Sequence, residues 1–514
     1  MGSPDSRLQK GNVQDVQEEV AVVVHTLKLT RGGRLAGDLT EDVAKFTSSS
    51  GHDVYIADDV VEINLAHVLA LVKGGIISKA EGGSLAVALK EMLGKIKSIP
   101  PKMEDVHMVV EDAVIKRVGA DVGGKIHTGK SRNDQVATAL RMRLREFLIE
   151  ICLNLIKLQK VLLEKASSNV EVVMPGFTHL QHAQPITVAH YLLAYFDMLN
   201  RDLDRLLACY SRVNLSPMGS AALAGTGYKL DRRLLAEYLG FDGLVENTLD
   251  GVASRDFALE AVSSLSILMV DVSRFAEEIV VWASQEFGYI ELPDDHSSTS
   301  SIMPQKKNPV TAEVLRARCG DVLGELTSML TIMKSLPLTY NLDMQEVTPH
   351  LWRACESSSL SLRVLADLVV KVRFNEDRLK EVVRKGFSVA TELADALVRE
   401  GGLPFRRAHQ VVGEIVRELY ASSSSLSEQK PERLADTIFK KAGVRVKPEP
   451  IKLAVDPTKN VNIRSTTGGP AFKEVRRMIA VRKRSFAAAE ERLSEISRLM
   501  EKRKASMYSA LSAL

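Results

Sequence analysis

The run Ser300-Ser301-Ile302-Met303-Pro304-Gln305-Lys306-Lys307-Asn308-Pro309 sets two hydroxyls, two ammonium groups, an amide and two prolines within ten residues. Prolines fix φ and remove backbone donors, so the segment reads as a shaped loop and not as a helix interior. The preceding stretch, Leu292 to Thr299, is polar and turn-forming, which leaves the loop free to move. Serine near lysine suits an anionic substrate. The cations draw the anion in, and the same field makes a serine alkoxide less costly. Taken alone, a solvated basic turn would carry the same residues.

Four further segments remove that ambiguity. His127-Thr128-Gly129-Lys130-Ser131-Arg132-Asn133-Asp134-Gln135-Val136 and Pro175-Gly176-Phe177-Thr178-His179-Leu180-Gln181-His182-Ala183-Gln184-Pro185 are two turns rich in hydrogen-bonding side chains. Asp105-Val106-His107-Met108 and Tyr340-Asn341-Leu342-Asp343-Met344-Gln345-Glu346 complete the set. Together with the serine loop, and in this order, they resemble the argininosuccinate lyase branch of the fumarase/aspartase superfamily. The likeness runs from about Gly32 to about Gly469, and Pro404 to His409 fits the family's third domain.

The resemblance implies a β-elimination that splits argininosuccinate into arginine and fumarate. A base takes a proton from the succinyl carbon beside a carboxylate, and the C–N bond then breaks as an acid protonates the leaving guanidino group. By resemblance Ser300 is the base, Lys306 faces the carbanion, and His179 is the general acid or its proton relay. Glu313 matches the carboxylate that pairs with this histidine. Substrate binding falls to Ser49, Arg132, Asn133, Thr178, Asn308, Tyr340 and Gln345. Arg255 is an additional anchor or, equally, half of an ion pair with Asp256. Asp105 and His107 would lie at the edge of the site, His107 otherwise being a buried core histidine. Neither a cofactor nor a metal ion is implied. Adenylosuccinate lyase and fumarase share the architecture, and the superfamily includes lens crystallins. The Gln305-Lys306-Lys307-Asn308 form of the loop and the turn at His127 favour the argininosuccinate branch.

Four positions depart from the family's pattern. Arg31-Gly32-Gly33-Arg34-Leu35 replaces a tryptophan-led opening, and Thr299 stands for a glycine, which stiffens the loop. Lys130 stands for arginine, keeping charge but losing the bidentate fork. Thr348 stands for a substrate-contacting lysine.

The elements that must position these groups read as helices. Val136, Leu140, Leu144, Phe147, Leu148, Ile151, Leu155, Leu158 and Leu162 recur at three and four, the stripe of a long helix. Similar patterns span Val188 to Val213, Phe257 to Phe287, Val310 to Leu336 and Leu351 to Val372. The third is apolar nearly all round between Ala258 and Met269, as a helix enclosed by neighbours must be. The expected fold is all-α: an extension over 1–29, an N-terminal helical domain over 30–129, a central bundle over 130–381 and a C-terminal helical domain over 382–514. The resemblance adds a homotetramer whose active sites are shared between subunits. Ser422 to Ser425 reads as a flexible loop, and a charged helix is expected from Phe472 to Ser509.

Composition narrows the remaining classes. The 514 residues are 45% hydrophobic and 26% charged, with a net charge of +3, too small to mark a nucleic-acid surface. The most apolar stretch, Leu265 to Val281, is broken by Asp271, Arg274, Glu277 and Glu278, so no membrane span is expected. Cys152, Cys209, Cys319 and Cys355 are scattered within helical patterns, which favours reduced thiols and a cytoplasmic location. Met1-Gly2-Ser3-Pro4-Asp5-Ser6 matches an acylation pattern but lacks the basic cluster of a second membrane signal.

Overall fold

The computed structural model describes residues 39–514. The Met1-Gly2 start and the Arg31–Leu35 departure lie outside the described residues. After a short helix over Glu41–Thr47 come α1 (Ala57–Lys73), α2 (Lys79–Lys90) and α3 (Val106–Val118). Ser78 opens α2 with a capping box to Glu81, and the Asp105 carboxylate caps α3. Val60, Leu65, Leu71, Leu85, Leu89 and Val114 of these helices belong to the same continuous core as the bundle.

The bundle begins with α4 (Arg132–Ser168), 37 residues long. Its start is specified twice over. Ser131 and Asp134 form a reciprocal capping box, and the second Asp134 oxygen accepts from Gly219 N at 3.0 Å and Ala221 N at 2.8 Å. A hairpin follows, β1 (Val173–Thr178) and β2 (Gln181–Thr187), and then α5 (Val188–Val213). Next come α6 (Asp256–Ala283) and three two-residue strands, β3 (Ile290–Glu291), β4 (Ser298–Thr299) and β5 (Lys307–Asn308). The bundle closes with α7 (Val310–Met333), α8 (Val347–Lys371) and β6 (Arg373–Phe374), which pairs antiparallel with β3. Each helix coincides within a few residues with a stripe read from the sequence. Helix α6 packs on α5, α7 and α8, and α4 packs on α5 and α8. Consistent with its apolar girth, α6 buries Ser264, Leu265, Ser266, Leu268 and Met269 in near succession.

Helix α7 is different. It buries only Ala312, Leu315, Cys319, Val322 and Met329, while Val314, Leu323 and Leu330 stand 55%, 41% and 49% exposed. With α8 it walls a groove of 1090 Å³ that includes Leu360 and the His350–Glu325–Arg353 cluster.

A smaller core joins α9 (Ala390–Gly401), α10 (Phe405–Ala421), α11 (Pro431–Ala442) and α12 (Pro448–Val455) through Leu393, Leu397, Val411, Ile415, Leu434, Ile438 and Ile451. The final helix, α13 (Phe472–Ser512), does not share it. It runs back along α4 and places Val475, Met478, Ile479, Leu493 and Met507 in the main core. The serine run is ordered, contrary to the expected flexible loop. Ser424 N bonds to Leu419 O at 2.9 Å, ending α10, and the buried Ser425 hydroxyl donates to Arg384 O at 2.9 Å. Among the described residues, no helix is long and apolar enough to cross a membrane.

Leu265, fully buried on α6, tests the bundle directly. Leu265→Ala is expected to destabilise it by about 2–5 kcal/mol, seen as a lower urea midpoint.

Candidate active site

Every long helix of the bundle runs between two ends, and the chemistry-bearing residues divide between them. Helix α4 starts at Arg132 and ends before the hairpin; α6 starts after Arg255 and leads to the serine loop. Helix α7 starts after that loop and ends before Tyr340, while α8 starts after Gln345 and ends at β6. With 24 residues in α7 and 28 in α6, the two ends lie about 35–40 Å apart at 1.5 Å per residue.

One end holds a cavity of 230 Å³ lined in part by Ser49, Asp53, Arg132, Arg255, Tyr340 and Gln345. That is below the ~300 Å³ at the low end of small-molecule sites, room for only part of a ligand. Asn133 also reaches its wall, and its amide donates to Ala222 O at 3.1 Å. The Ser49 hydroxyl donates to Asp53 Oδ2 at 2.7 Å, and Gln345 Nε2 donates to Thr47 O at 3.2 Å. The segment that carries Ser49 and Asp53 is held to the bundle through Tyr55. Its ring stacks on Trp352 with centroids 5.9 Å apart, and its hydroxyl donates to Glu356 at 2.7 Å. Tyr340 follows Thr339, a β-branched residue at φ +80°, which is strained backbone at the cavity's edge.

The cations of this cavity are arranged differently from the sequence expectation. Arg132 was expected to hold a carboxylate with its fork, yet its Nη1 lies 2.9 Å from Asp105 Oδ2 and 3.3 Å from Glu104. Arg255 does not pair with Asp256, whose carboxylate instead accepts from the Ser254 hydroxyl and from Phe257 N. Arg255 is 1% exposed; Nη1 donates to Ser254 O at 2.8 Å, while Nε and Nη2 have no partner among the described residues. Two unmatched donors on a buried guanidinium make it the natural seat for a carboxylate. Sequence reading passed over Asp53 and Glu104. Their place on the wall depends on long-range packing, which leaves no local signal.

Beneath the turn at His127 lies a polar core. His67 Nε2 is 2.8 Å from Thr128 O, and neither ring nitrogen of the buried His107 has a partner. His107 is thus a core residue below the turn and does not line the cavity. Lys130, expected to keep arginine's charge, is buried with its ammonium on Asn64, and burial pushes it down to about 7.

The other end carries the hairpin and the serine loop. Thr178 pairs with Gln181, so His179 and Leu180 alone form the turn, at φ +56° and +55°. Both values at positive φ match a two-residue hairpin turn that usually takes asparagine or glycine. This strained turn presents His179 and Thr178 to solvent, with Leu180 71% exposed. Gly176 fits the adjoining bulge because a Cβ there would stand 2.6 Å from Gln184 O. In the serine loop Ser298 pairs with Asn308 and Thr299 with Lys307, leaving Ser300 to Lys306 as the tip. Asn308 Nδ2 donates to Ser298 Oγ at 3.3 Å, so it braces the neck. Ser300 Oγ accepts from Ile302 N at 3.3 Å and Met303 N at 3.1 Å. Two backbone donors on that oxygen favour its alkoxide, which is what a serine base requires. Lys306 and Glu313 are exposed, and among the described residues no hydrogen bond or ion pair joins His179 to Glu313.

A long-helix bundle with a polar hairpin and a projecting serine loop is the architecture of the fumarase/aspartase lyases. A class II fumarase from Schistosoma mansoni superposes with a TM-score of 0.67 at 18% identity, over 85% of this chain and 94% of its own, which speaks to fold alone. EDDS lyase in complex with formate superposes more fully, with a TM-score of 0.83 at 28% identity over 94% of this chain and 98% of that one. A family model described as lyase matches residues 33–324, and one described as argininosuccinate lyase C-terminal matches residues 387–462. The argininosuccinate lyase of Methanothrix thermoacetophila is 46% identical over 92% of this chain and 98% of its own length. That of Methanocaldococcus jannaschii is 42% identical over 92% and 99%. The chain belongs to the argininosuccinate lyase family.

Burial pushes the Asp53 carboxyl up from 3.8 to about 6, with Ser49 and Val106 N–H partly offsetting the cost. Affinity for a ligand that brings an amino group to this cavity is expected to weaken as the pH falls through about 6, by up to about tenfold per unit. Asp53→Asn should flatten that dependence of KM. The folded pKa is raised, so this group's contribution to stability is present below the unfolded value and lost as pH rises through about 6. Asp53→Asn should therefore not lower the melting temperature at pH 8.

Proposed function

We infer that the protein cleaves argininosuccinate to arginine and fumarate by β-elimination. The Ser300 alkoxide takes the proton from the succinyl carbon next to a carboxylate, and the electron pair moves into that carboxylate as an aci-dianion. Lys306 supplies the facing positive charge; one such preorganised donor is typically worth about 10²–10³ in rate. The pair then returns to form the fumarate double bond, the C–N bond breaks, and His179, directly or through water, protonates the departing guanidino nitrogen. Glu313 pairs with His179 when the site is assembled. Thr178 and Asn308 hold the succinyl part, while Ser49, Arg132, Asn133, Arg255, Tyr340 and Gln345 hold the remainder. The observation that carries this reading is the Ser300 hydroxyl fixed under two backbone N–H groups, with an uncommitted lysine six residues on.

A single chain keeps these two groups at opposite ends of its bundle, so a complete site needs more than one subunit. The exposed apolar residues Val314, Leu323 and Leu330 on α7, beside the groove with α8, support side-by-side association of bundles. We read the assembly as a homotetramer, with each site built from ends of different subunits.

Ser300→Ala should lower turnover of argininosuccinate by several orders of magnitude, read as fumarate absorbance, while Ser301→Ala keeps most of it. Faster fumarate release from adenylosuccinate or malate would move the substrate assignment. Mixing inactive Ser300→Ala with inactive Asn133→Ala should restore part of the activity after subunit exchange, because the two changes lie at opposite ends. Mixed oligomers that remain dead would place both residues in one chain's site.

A further inference from the structure

The serine loop holds two adjacent lysines, and the structure uses them differently. Lys306 is exposed, and its side chain forms no hydrogen bond or ion pair among the described residues. Lys307 turns back to the incoming limb of the loop. Its ammonium donates to Glu291 Oε1 at 2.7 Å and to Leu292 O at 2.5 Å, and Asp294 Oδ1 lies 2.9 Å away. An ammonium has three N–H donors; Glu291 and Leu292 take two, and the Asp294 carboxylate pairs with the charge. Lys307 is therefore committed to the incoming limb of the loop.

What it grips belongs to the scaffold. Glu291 sits on β3, which pairs with β6 at the end of α8. The neck between β4 and β5 is a ladder of two residue pairs, too short to hold a loop's direction by itself. A second clamp lies close by. Lys371 of α8 bridges Asp295 and Asp367, and Asp367 is 2.9 Å from His296 Nε2. Asp295, His296 and Asp367 have the spacing of a metal site, but the Lys371 ammonium already bridges both carboxylates. Beyond these clamps the tip turns only on itself, through the Ser300 hydroxyl and the bond from Lys306 N to Met303 O at 3.2 Å.

We propose that Lys307 is a positioning residue of the elimination: by gripping Glu291, Leu292 and Asp294 it closes the neck of the loop and sets the direction of the Ser300 hydroxyl. This rests on the reading of Ser300 as the base. Glu291 and Asp294 are exposed, and exposed pairs add little to global stability. The effect belongs in the rate, because a small misplacement of a base costs far more in turnover than in folding. Glu291 first, and then Asp294, hold the Lys307 ammonium above the ordinary lysine range, so the clamp stays charged throughout neutral pH.

The test compares Lys307→Met, Lys307→Arg, the double variant Glu291→Gln/Asp294→Asn, and Ser300→Ala in the full-length protein. Turnover, KM, melting temperature and hydrogen exchange over the loop are measured for each. Lys307→Met is expected to lower kcat by about 10–100-fold with KM and melting temperature nearly unchanged, and to speed exchange in the loop. Lys307→Arg should recover most of that loss. The acidic double variant should reproduce it, and adding Lys307→Met to that variant should cost little more. A deficit that falls on KM instead would make Lys307 a substrate contact and overturn the proposal. If Ser300→Ala is dead while Lys307→Met matches the parent in turnover and loop exchange, the clamp alone has failed. If Ser300→Ala retains turnover, it is the choice of base that has failed.

Discussion

A buried helix cannot bend its two ends together, and that constraint organises this protein. The 37 residues of α4 span about 55 Å, and α5 to α8 are tied to its length by one continuous apolar core. Whatever the helix termini carry is therefore held at one end or the other. Arg255 is fixed by the start of α6, and the serine loop by the link from α6 to α7. The same helices that position the Arg255 cavity and the serine loop also keep them apart within one chain.

Each end meets the electrostatic cost of its task in its own way. At the cavity the cost lies in buried charge. Asp105 and Glu104 offset Arg132, while the buried Arg255 keeps two donors unmatched among the described residues, a cost that a hydrogen-bonding partner would offset. At the loop the relevant group is a hydroxyl. A serine hydroxyl ionises with difficulty, and the two N–H groups of residues 302 and 303 are turned onto the Ser300 oxygen, as the proposed role of base requires. Strained backbone marks both ends: Thr339 beside the cavity, and His179 with Leu180 in the hairpin turn.

The departures from the family's pattern take on physical meaning in this setting. Lys130 lies under the turn at His127, where burial lowers the proton affinity of the ammonium that the sequence suggested would keep arginine's charge. Thr348 is buried on the wall of the cavity that holds Arg255, so the pocket retains a cation without a lysine at that position. Thr299 pairs with Lys307 across the neck of the serine loop; a β-branched residue suits a strand there, where glycine would loosen it.

The amino-acid sequence by itself determined the long helices, because a stripe at three and four needs only local periodicity, and the family, because five motifs recur in order. By resemblance it also singled out Ser300, Lys306 and His179 as candidates. Tertiary structure decided what periodicity cannot encode. The hairpin of Val173 to Thr187 was not foreseen, since its turn uses histidine and leucine in place of the usual signals. Arg255 was equally legible as an ion pair until packing set Asp256 on its own helix terminus. The last helix was grouped with the C-terminal unit by its place in the chain, yet Val475 and Met478 pack on the bundle. Lys306 and Lys307 are identical in the sequence. Only the strand pairing, which turns one toward Glu291, Leu292 and Asp294 and leaves the other in solvent, tells them apart.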